Sequence, residues 1–255
     1  MRLEFLDQGP ALLVEETMRV LVVGDLHLGI EADLSRHGLH IRSRSRQRME
    51  RVLSCIESEG PDLLVLLGDV KHNVPLTSRQ EYRELPGILD AFRSRVPLHL
   101  VPGNHDPGIE KFFHEDEILS KSGVLIDGVG YMHGHTYPDR CLQGHLIISG
   151  HHHPLVTIRD RVGCALRAPG YLLAPVDDTC LQFPGSKENN RGTTRVLFIP
   201  ALNELAGYDI LQTAKEPFSP LSRCMNPAES EVFLADGTFI GGLASLEDHG
   251  DQEDL

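Results

Sequence analysis

Met18-Arg19-Val20-Leu21-Val22-Val23 runs straight into Gly24-Asp25-Leu26-His27-Leu28-Gly29. The first part is an apolar, β-branched run of strand length, and the second is glycine mixed with ionisable side chains. A buried strand that ends this way marks the place where open α/β sheets put their ligands. The pattern repeats downstream. Met49, Val52, Leu53 and Ile56 share one face of a helix predicted over Gln47–Ser58, which Gly60-Pro61 ends. Asp62–Leu67 reads as a second buried strand, closing on Gly68-Asp69-Val70-Lys71-His72. Thr77 or Ser78 can cap a second helix through Tyr82, Leu85, Ile88, Leu89 and Phe92, with a break predicted at Pro86. Leu98–Val101 is a third strand, ending in Pro102-Gly103-Asn104-His105-Asp106-Pro107. Strand, helix, strand, helix, strand predicts a parallel α/β half.

Upstream, Arg2–Leu6 and Ala11–Val14 read as a hairpin around Gly9-Pro10. From Val124 the pattern changes to short strands with turns: Val124–Ile126, Val129–Met132, Leu146–Ile148, Leu155–Ile158, Val162–Arg167 and Arg195–Ile199. With no long helix between them, they predict a second, mostly antiparallel sheet packed on the first. Phe183–Gly192 reads as a polar loop. Residues 1–245 are expected to form a single domain, and Leu246–Leu255 a frayed acidic tail.

Asp and Glu number 37 against 24 Lys and Arg, a formal charge of -13. That balance disfavours general adhesion to nucleic acid but suits divalent cations and leaves room for a local basic groove. Five scattered cysteines without a C-x-x-C pair predict reduced thiols and a cytoplasmic setting. No signal pattern is read at the N-terminus, and no apolar run approaches the roughly 20 residues a bilayer requires, so no membrane contact is expected.

Fourteen histidines is a high number, and they gather at strand ends. Asp25 and His27 follow the first strand, Asp69 the second, Asn104, His105 and Asp106 the third. Met132-His133-Gly134-His135 and Ser149-Gly150-His151-His152-His153-Pro154 end two later ones. Singly, Asp25-x-His27 or Gly68-Asp69 could be an ordinary solvent-facing turn; the repetition is what carries meaning. His151 and His153, one residue apart, are expected to point the same way off an extended backbone. Oxygen and nitrogen donors without thiolates suit Mn²⁺, Fe, Zn²⁺ or Co²⁺, and argue against Ca²⁺ or a structural Cys-zinc site. Two aspartates and four histidines are too many donors for one ion. Two ions about 3.5–4 Å apart would use them all, with Asp69 as the bridge.

This ordered set resembles the calcineurin-like metallophosphoesterase superfamily, whose pattern is D-x-H, G-D, G-N-H-[DE], a His, then G-H-x-H. The resemblance runs from residue 24 to 153 and implies a four-layer sandwich, two β-sheets flanked by helices, with a dimetal site at the strand C-terminal ends. It implies one metal on Asp25, His27, Asp69 and His153, and a second on Asp69, Asn104, His133 and His151. His105 would contact the phosphate, oriented by Asp106. His135 has no implied ligand role and is a candidate to face substrate; His152 is expected to point away. A narrower resemblance, to small SbcD-related and DNA ligase-associated phosphoesterases, rests on Asp25–Glu31, Gly68–His72, His133–Pro138, Ile199-Pro200-Ala201 and Ala206-Gly207.

The expected activity is a phosphodiesterase or nuclease with two divalent cations, Mn²⁺ first. A water shared between them would lose its proton near neutral pH and attack phosphorus. A phosphomonoesterase acting on phosphoprotein or nucleotide is the alternative, and a non-catalytic metal-binding scaffold for a repair partner a third. Arg36, Arg42, Arg44, Arg46, Arg48 and Arg51 form a basic run that could track DNA or RNA, or be the solvated face of a helix. Lys71 and His72, beside Asp69, are candidates to bind substrate phosphate. Aromatic residues make up 5% of the chain with no Trp, so a base-stacking platform is not expected.

Overall fold

The computed structural model describes residues 1–159, 165–181 and 193–247. The first half comprises β1 (Arg2–Leu6), β2 (Ala11–Glu15), β3 (Arg19–Val23), α1 (Ile30–Arg36), α2 (Ser45–Glu59), β4 (Leu63–Leu66), α3 (Arg79–Arg93) and β5 (Leu98–Leu100). The second comprises β6 (Val124–Ile126), β7 (Val129–Met132), β8 (Leu146–Ser149), β9 (Pro154–Arg159), β10 (Ala165–Pro175), β11 (Arg195–Phe198) and β12 (Tyr208–Asp209). It closes with α4 (Ile210–Lys215), α5 (Pro220–Cys224), β13 (Glu231–Leu234), β14 (Phe239–Gly242) and α6 (Leu243–Glu247).

The first sheet has the order β1-β2-β3-β4-β5. Its hairpin is antiparallel, while β3, β4 and β5 run parallel, joined through α2 and α3. The second sheet has the order β12-β9-β10-β11-β8-β7-β6, with β13 on β10 and β14 on β13. Antiparallel pairing holds for most of it, but β8 is parallel to both neighbours, β7 and β11. Those parallel pairs set the C-terminal ends of β7 and β8 side by side.

Alternation along the strands builds the layers. Leu21, Val23, Leu64 and Leu66 face the helices and pack with Val52, Ile56, Leu85, Leu89 and Phe92. Val20, Val22, Leu63 and Val65 face the other way, against Tyr131, Ile148, Tyr171 and Leu197 of the second sheet. The far side of that sheet, with Ile147, Val196 and Phe198, packs on Ile210, Leu221 and Leu243 of α4, α5 and α6. Helices, sheet, sheet, helices is an α/β sandwich with two sheets flanked by helices.

Two local expectations are corrected and one element is added. Helix α3, capped by Ser78 with Glu81 in a reciprocal capping box, continues through Pro86. Pro86 lies on the exposed face, so the backbone bond it removes opens to water while Leu85, Ile88, Leu89 and Phe92 stay buried. The thiols are not all reduced: Cys180 and Cys224 form a disulfide, with Cys55 and Cys141 free and Cys164 outside the described residues. Helix α1 was not anticipated. The polar loop expected from residue 183 to residue 192, and residues 248–255 of the expected tail, lie outside the described residues. No helix among those described is long and apolar enough to cross a membrane.

Candidate metal centre

The C-terminal ends of β3, β4, β5, β7 and β8 meet at one edge of the sandwich. The loops after β3 and β4 continue pairing beyond the strands: Asp25 N–H donates to Gly68 O at 3.2 Å and His27 N–H to Asp69 O at 2.8 Å. Asp25, His27, Asp69, His151 and His153 all adopt the left-handed backbone conformation, with φ of 57°, 43°, 48°, 71° and 45°. Such φ values cost non-glycine residues energy and persist only where the surroundings enforce them. His151 and His153 therefore do not leave an extended strand in one direction, as their spacing suggested. The turn sends them to different donor groups.

Two groups of side-chain donors have ligand atoms within 4.8 Å of one another: Asp25, His27, Asp69 and His153, and Asp69, His133 and His151. Asp69 belongs to both. His153 Nε2 is 3.0 Å from Asp25 Oδ1 and 3.4 Å from His27 Nε2. Asp69 Oδ2 lies 3.8 Å from His27 Nε2 and 3.4 Å from His133 Nε2. Asn104 Oδ1 reaches His133 Nε2 at 3.1 Å. Gly103 is required beneath this arrangement, since a Cβ there would stand 2.1 Å from Asp69 Oδ1. The donors are oxygen and imidazole nitrogen, they are mostly buried, and they form two groups around a shared carboxylate. This chemistry fits two divalent transition metals.

Charge distribution agrees. Burial and then His153 hold His27 well below its ordinary pKa; burial and then His133 do the same for His151. Both imidazoles are thus neutral, the form that binds cations. Burial opposes the Asp69 carboxylate, yet His133 and His27 hold it well below the usual carboxylate range. Burial also opposes charge on His133, but Asp69, Asp25 and the Leu67 carbonyl outweigh it and push the group up to about 9.

His105 donates its backbone N–H to Asp69 Oδ1 at 2.7 Å, and its ring lies 4.9 Å from that of His27. His72 stacks on His105 at 5.3 Å and meets His27 Nδ1 at 3.2 Å, so His27, His72 and His105 form a further potential donor group. The His135 ring is 5.3 Å from His133, with its buried Nδ1 lacking a hydrogen-bond partner. His152 turns away, as expected, with Nε2 3.0 Å from Ser219 Oγ.

Two expectations fail here, and a third is narrowed. Lys71 cannot meet substrate: it is fully buried, and its ammonium donates to the Asn73 carbonyl. Asp106 does not orient His105. Its carboxylate accepts backbone N–H groups from Val70 (3.0 Å), Lys71 (3.3 Å) and Gly103 (2.8 Å), splinting the Asp69 loop to the Asn104 loop. His105 Nδ1 is held instead by the His72 carbonyl, at 2.5 Å. In the basic run, Arg48 is buried against Glu31 and Glu204, Arg44 and Arg51 also face Glu204, Arg46 pairs with Glu50 and Arg36 with Asp33. Most of that positive charge is already matched, and Arg48 is out of reach of any strand.

Asn203 and Phe218 were missed. Buried Asn203 donates through Nδ2 to Leu26 O (2.9 Å) and His27 O (3.3 Å), and through its backbone to Asp25 O (3.3 Å). The Ile199-Pro200-Ala201 and Ala206-Gly207 stretches flank it and were the signals near it. Phe218, on the loop before α5, packs its ring 5.2 Å from His151.

The calcineurin-like phosphoesterase family model matches residues 18–160. Among solved structures, the Pseudomonas putida nuclease MPE is similar over 90% of both chains, at 18% identity and a TM-score of 0.58. YfcE, a phosphoesterase from E. coli, is 16% identical over 87% of this chain and 96% of its own, with a TM-score of 0.40. The family uses divalent metals and hydrolyses phosphate esters, which accounts for oxygen and imidazole donors collected at strand ends. The match spans more than half of the chain, and the protein is a phosphate-ester hydrolase belonging to the calcineurin-like phosphoesterase family.

Proposed function

We propose that the chain hydrolyses phosphodiesters, with nucleic acid as the substrate class, using two divalent cations of which Mn²⁺ is the first choice. One is held by Asp25, His27, Asp69 and His153, the other by Asp69, Asn104, His133 and His151. The observation that carries this reading is the sharing of Asp69 between two donor groups. Bound there, a pair of cations supplies Lewis-acid charge at the phosphoryl oxygens and lowers the pKa of water. Nucleic-acid diesters stand ahead of monoesters because a protein of the same fold, from P. putida, is a nuclease.

The chain's own residues supply the rest. Asp69 anchors the His105 backbone, so the group that meets phosphate is tied to the metal-binding carboxylate. The His72 carbonyl accepts from His105 Nδ1, which leaves Nε2 to face the substrate and, when protonated, to hand a proton to the leaving alkoxide. His72 and His135 line the approach as phosphate contacts.

Hydrolysis of labelled single- and double-stranded DNA and RNA, with and without Mn²⁺ and beside Asp69→Asn, tests the reading. Chromogenic diester and monoester substrates run in parallel separate it from a phosphomonoesterase. Metal-dependent diester cleavage lost in Asp69→Asn is expected; cleavage of monoesters alone, or near-wild-type rates in the variant, overturns it.

A further inference from the structure

We propose that the open face of Phe218 is a stacking platform for a nucleobase adjoining the phosphate held at the metal centre. The proposal rests on the phosphodiesterase reading and adds a base-binding subsite to it. Phe218 is 42% exposed, and among the exposed aromatic rings described (Tyr82, Tyr137, Phe218 and Phe239) it is the one packed on a histidine of the donor groups. One of its faces is covered: the His152 ring lies against it with centroids 4.6 Å apart and planes 28° apart. Two other rings meet it at steep angles, His151 at 5.2 Å and 65°, Tyr208 at 5.5 Å and 83°. With His152 stacked on one face, the ring's remaining exposure lies on its edges and opposite face.

That ring is not free to move away. His152 is buried, packed on Phe198 at 4.3 Å and tied through Nε2 to Ser219 Oγ at 3.0 Å. Phe198, tilted 57° to His152, backs the ring on which Phe218 stacks, and a preorganised ring loses little freedom on binding. Its position is what gives it a ligand. His151 is one of the donors grouped with Asp69 and His133, so the Phe218 ring, 5.2 Å from it, lies beside the group that would hold a cation and its phosphate. A nucleotide carries both complementary parts, an anion for the cations and a flat π-face for the ring. Because every base has such a face, a platform of this kind tolerates sequence.

The test uses the full chain loaded with Mn²⁺ and two esters sharing one leaving group: the p-nitrophenyl ester of thymidylate and p-nitrophenyl methyl phosphate. The thymidylate ester should show the lower KM, and Phe218→Ala should shrink that preference about tenfold. Phe218→Trp should keep it. Phe218→Leu, which fills the space against His152 without a π-face, should lose it as Ala does. Calorimetric binding of thymidylate against methyl phosphate should show the same loss of preference. An unchanged preference in Phe218→Ala and Phe218→Leu overturns the proposal, as does an equal change in both esters, which would mean that Phe218 only braces His151. Failure of the wild type to hydrolyse either ester would instead count against the phosphodiesterase reading, and the binding ratio would still decide the role of Phe218.

Discussion

His133 presents Nε2 to Asp69 Oδ2 at 3.4 Å while its Nδ1 lies 2.8 Å from the Leu67 carbonyl oxygen. A carbonyl only accepts, so Nδ1 carries the hydrogen and the Nε2 lone pair is aimed at a carboxylate. Two electron-rich atoms so placed need a positive charge between them. Without metal a proton provides it: burial resists, but Asp69 and Asp25 prevail and the pKa rises to about 9. A cation must displace that proton. Metal uptake at neutral pH should therefore release a proton, and apparent affinity should climb with pH until about 9. Calorimetry in buffers of different ionisation enthalpy reads the proton directly. The folded pKa lies above the ordinary 6.5, so in metal-free protein the stabilisation is complete below that value and is lost as pH rises through about 9. Metal-free melting temperature should fall across this window; constant melting with no proton release would rule the arrangement out.

Asp69→Asn removes the one charge that both donor groups share, yet keeps an oxygen to accept from the His105 backbone. The fold should survive by circular dichroism while bound metal drops and turnover falls at least about a hundredfold. Gly103→Ala makes a subtler version of the same test. It removes no donor, but its Cβ would displace Asp69, so metal affinity should fall with every ligand still present.

Much of this was legible in the chain because it is local. Val20–Val23 and Leu63–Leu66 are apolar throughout, which marks strands buried on both faces, and the donors follow their strands directly. What was not legible depends on where other segments arrive. Lys71 stands two residues from Asp69 yet turns inward to a backbone carbonyl, and Asp106 serves the backbone of two loops rather than its neighbour His105. Pro86 reads as a helix breaker until burial of Leu85 and Leu89 is set against one exposed carbonyl. The disulfide between Cys180 and Cys224 spans a separation of 44 residues, and no spacing rule reaches it.

Arg48 supplies a stability test separate from chemistry. It is fully buried, 2.9 Å from Glu31 and 3.3 Å from Glu204. Arg48→Ala leaves the Glu31 carboxylate buried without its cation, held only by the Arg44 backbone N–H and the Gln80 amide, an error that costs about 3–5 kcal/mol where it has been made. The urea midpoint should fall accordingly, with the slope unchanged. A loss below about 1 kcal/mol, the range of exposed pairs, would show that water reaches Glu31.

Asn203 should govern one metal without touching it. Asp25 and His27 hold left-handed φ values of 57° and 43°, each costing on the order of 1–3 kcal/mol. Asn203 opposes relaxation by binding the carbonyls of Asp25, Leu26 and His27 from the chain beyond β11. Its own Oδ1 accepts from Leu205 N–H at 2.9 Å, so the amide cannot flip without losing partners. In Asn203→Ala the carbonyls of Leu26 and His27 lose that donor and the loop can unwind, carrying two donors away from Asp69. Affinity at the Asp25–His27–Asp69–His153 group should drop about 10- to 100-fold, as for other groups that orient metal ligands. The group built on His133 and His151 hangs from β7 and β8 and should keep its affinity. Stepwise Mn²⁺ titration should thus show one weakened and one preserved event. Asn203→Asp, which keeps Oδ1 and loses both donated bonds, should behave like Ala. Equal weakening of both events would mean that Asn203 supports the fold generally, and no weakening would mean that the left-handed turn holds itself.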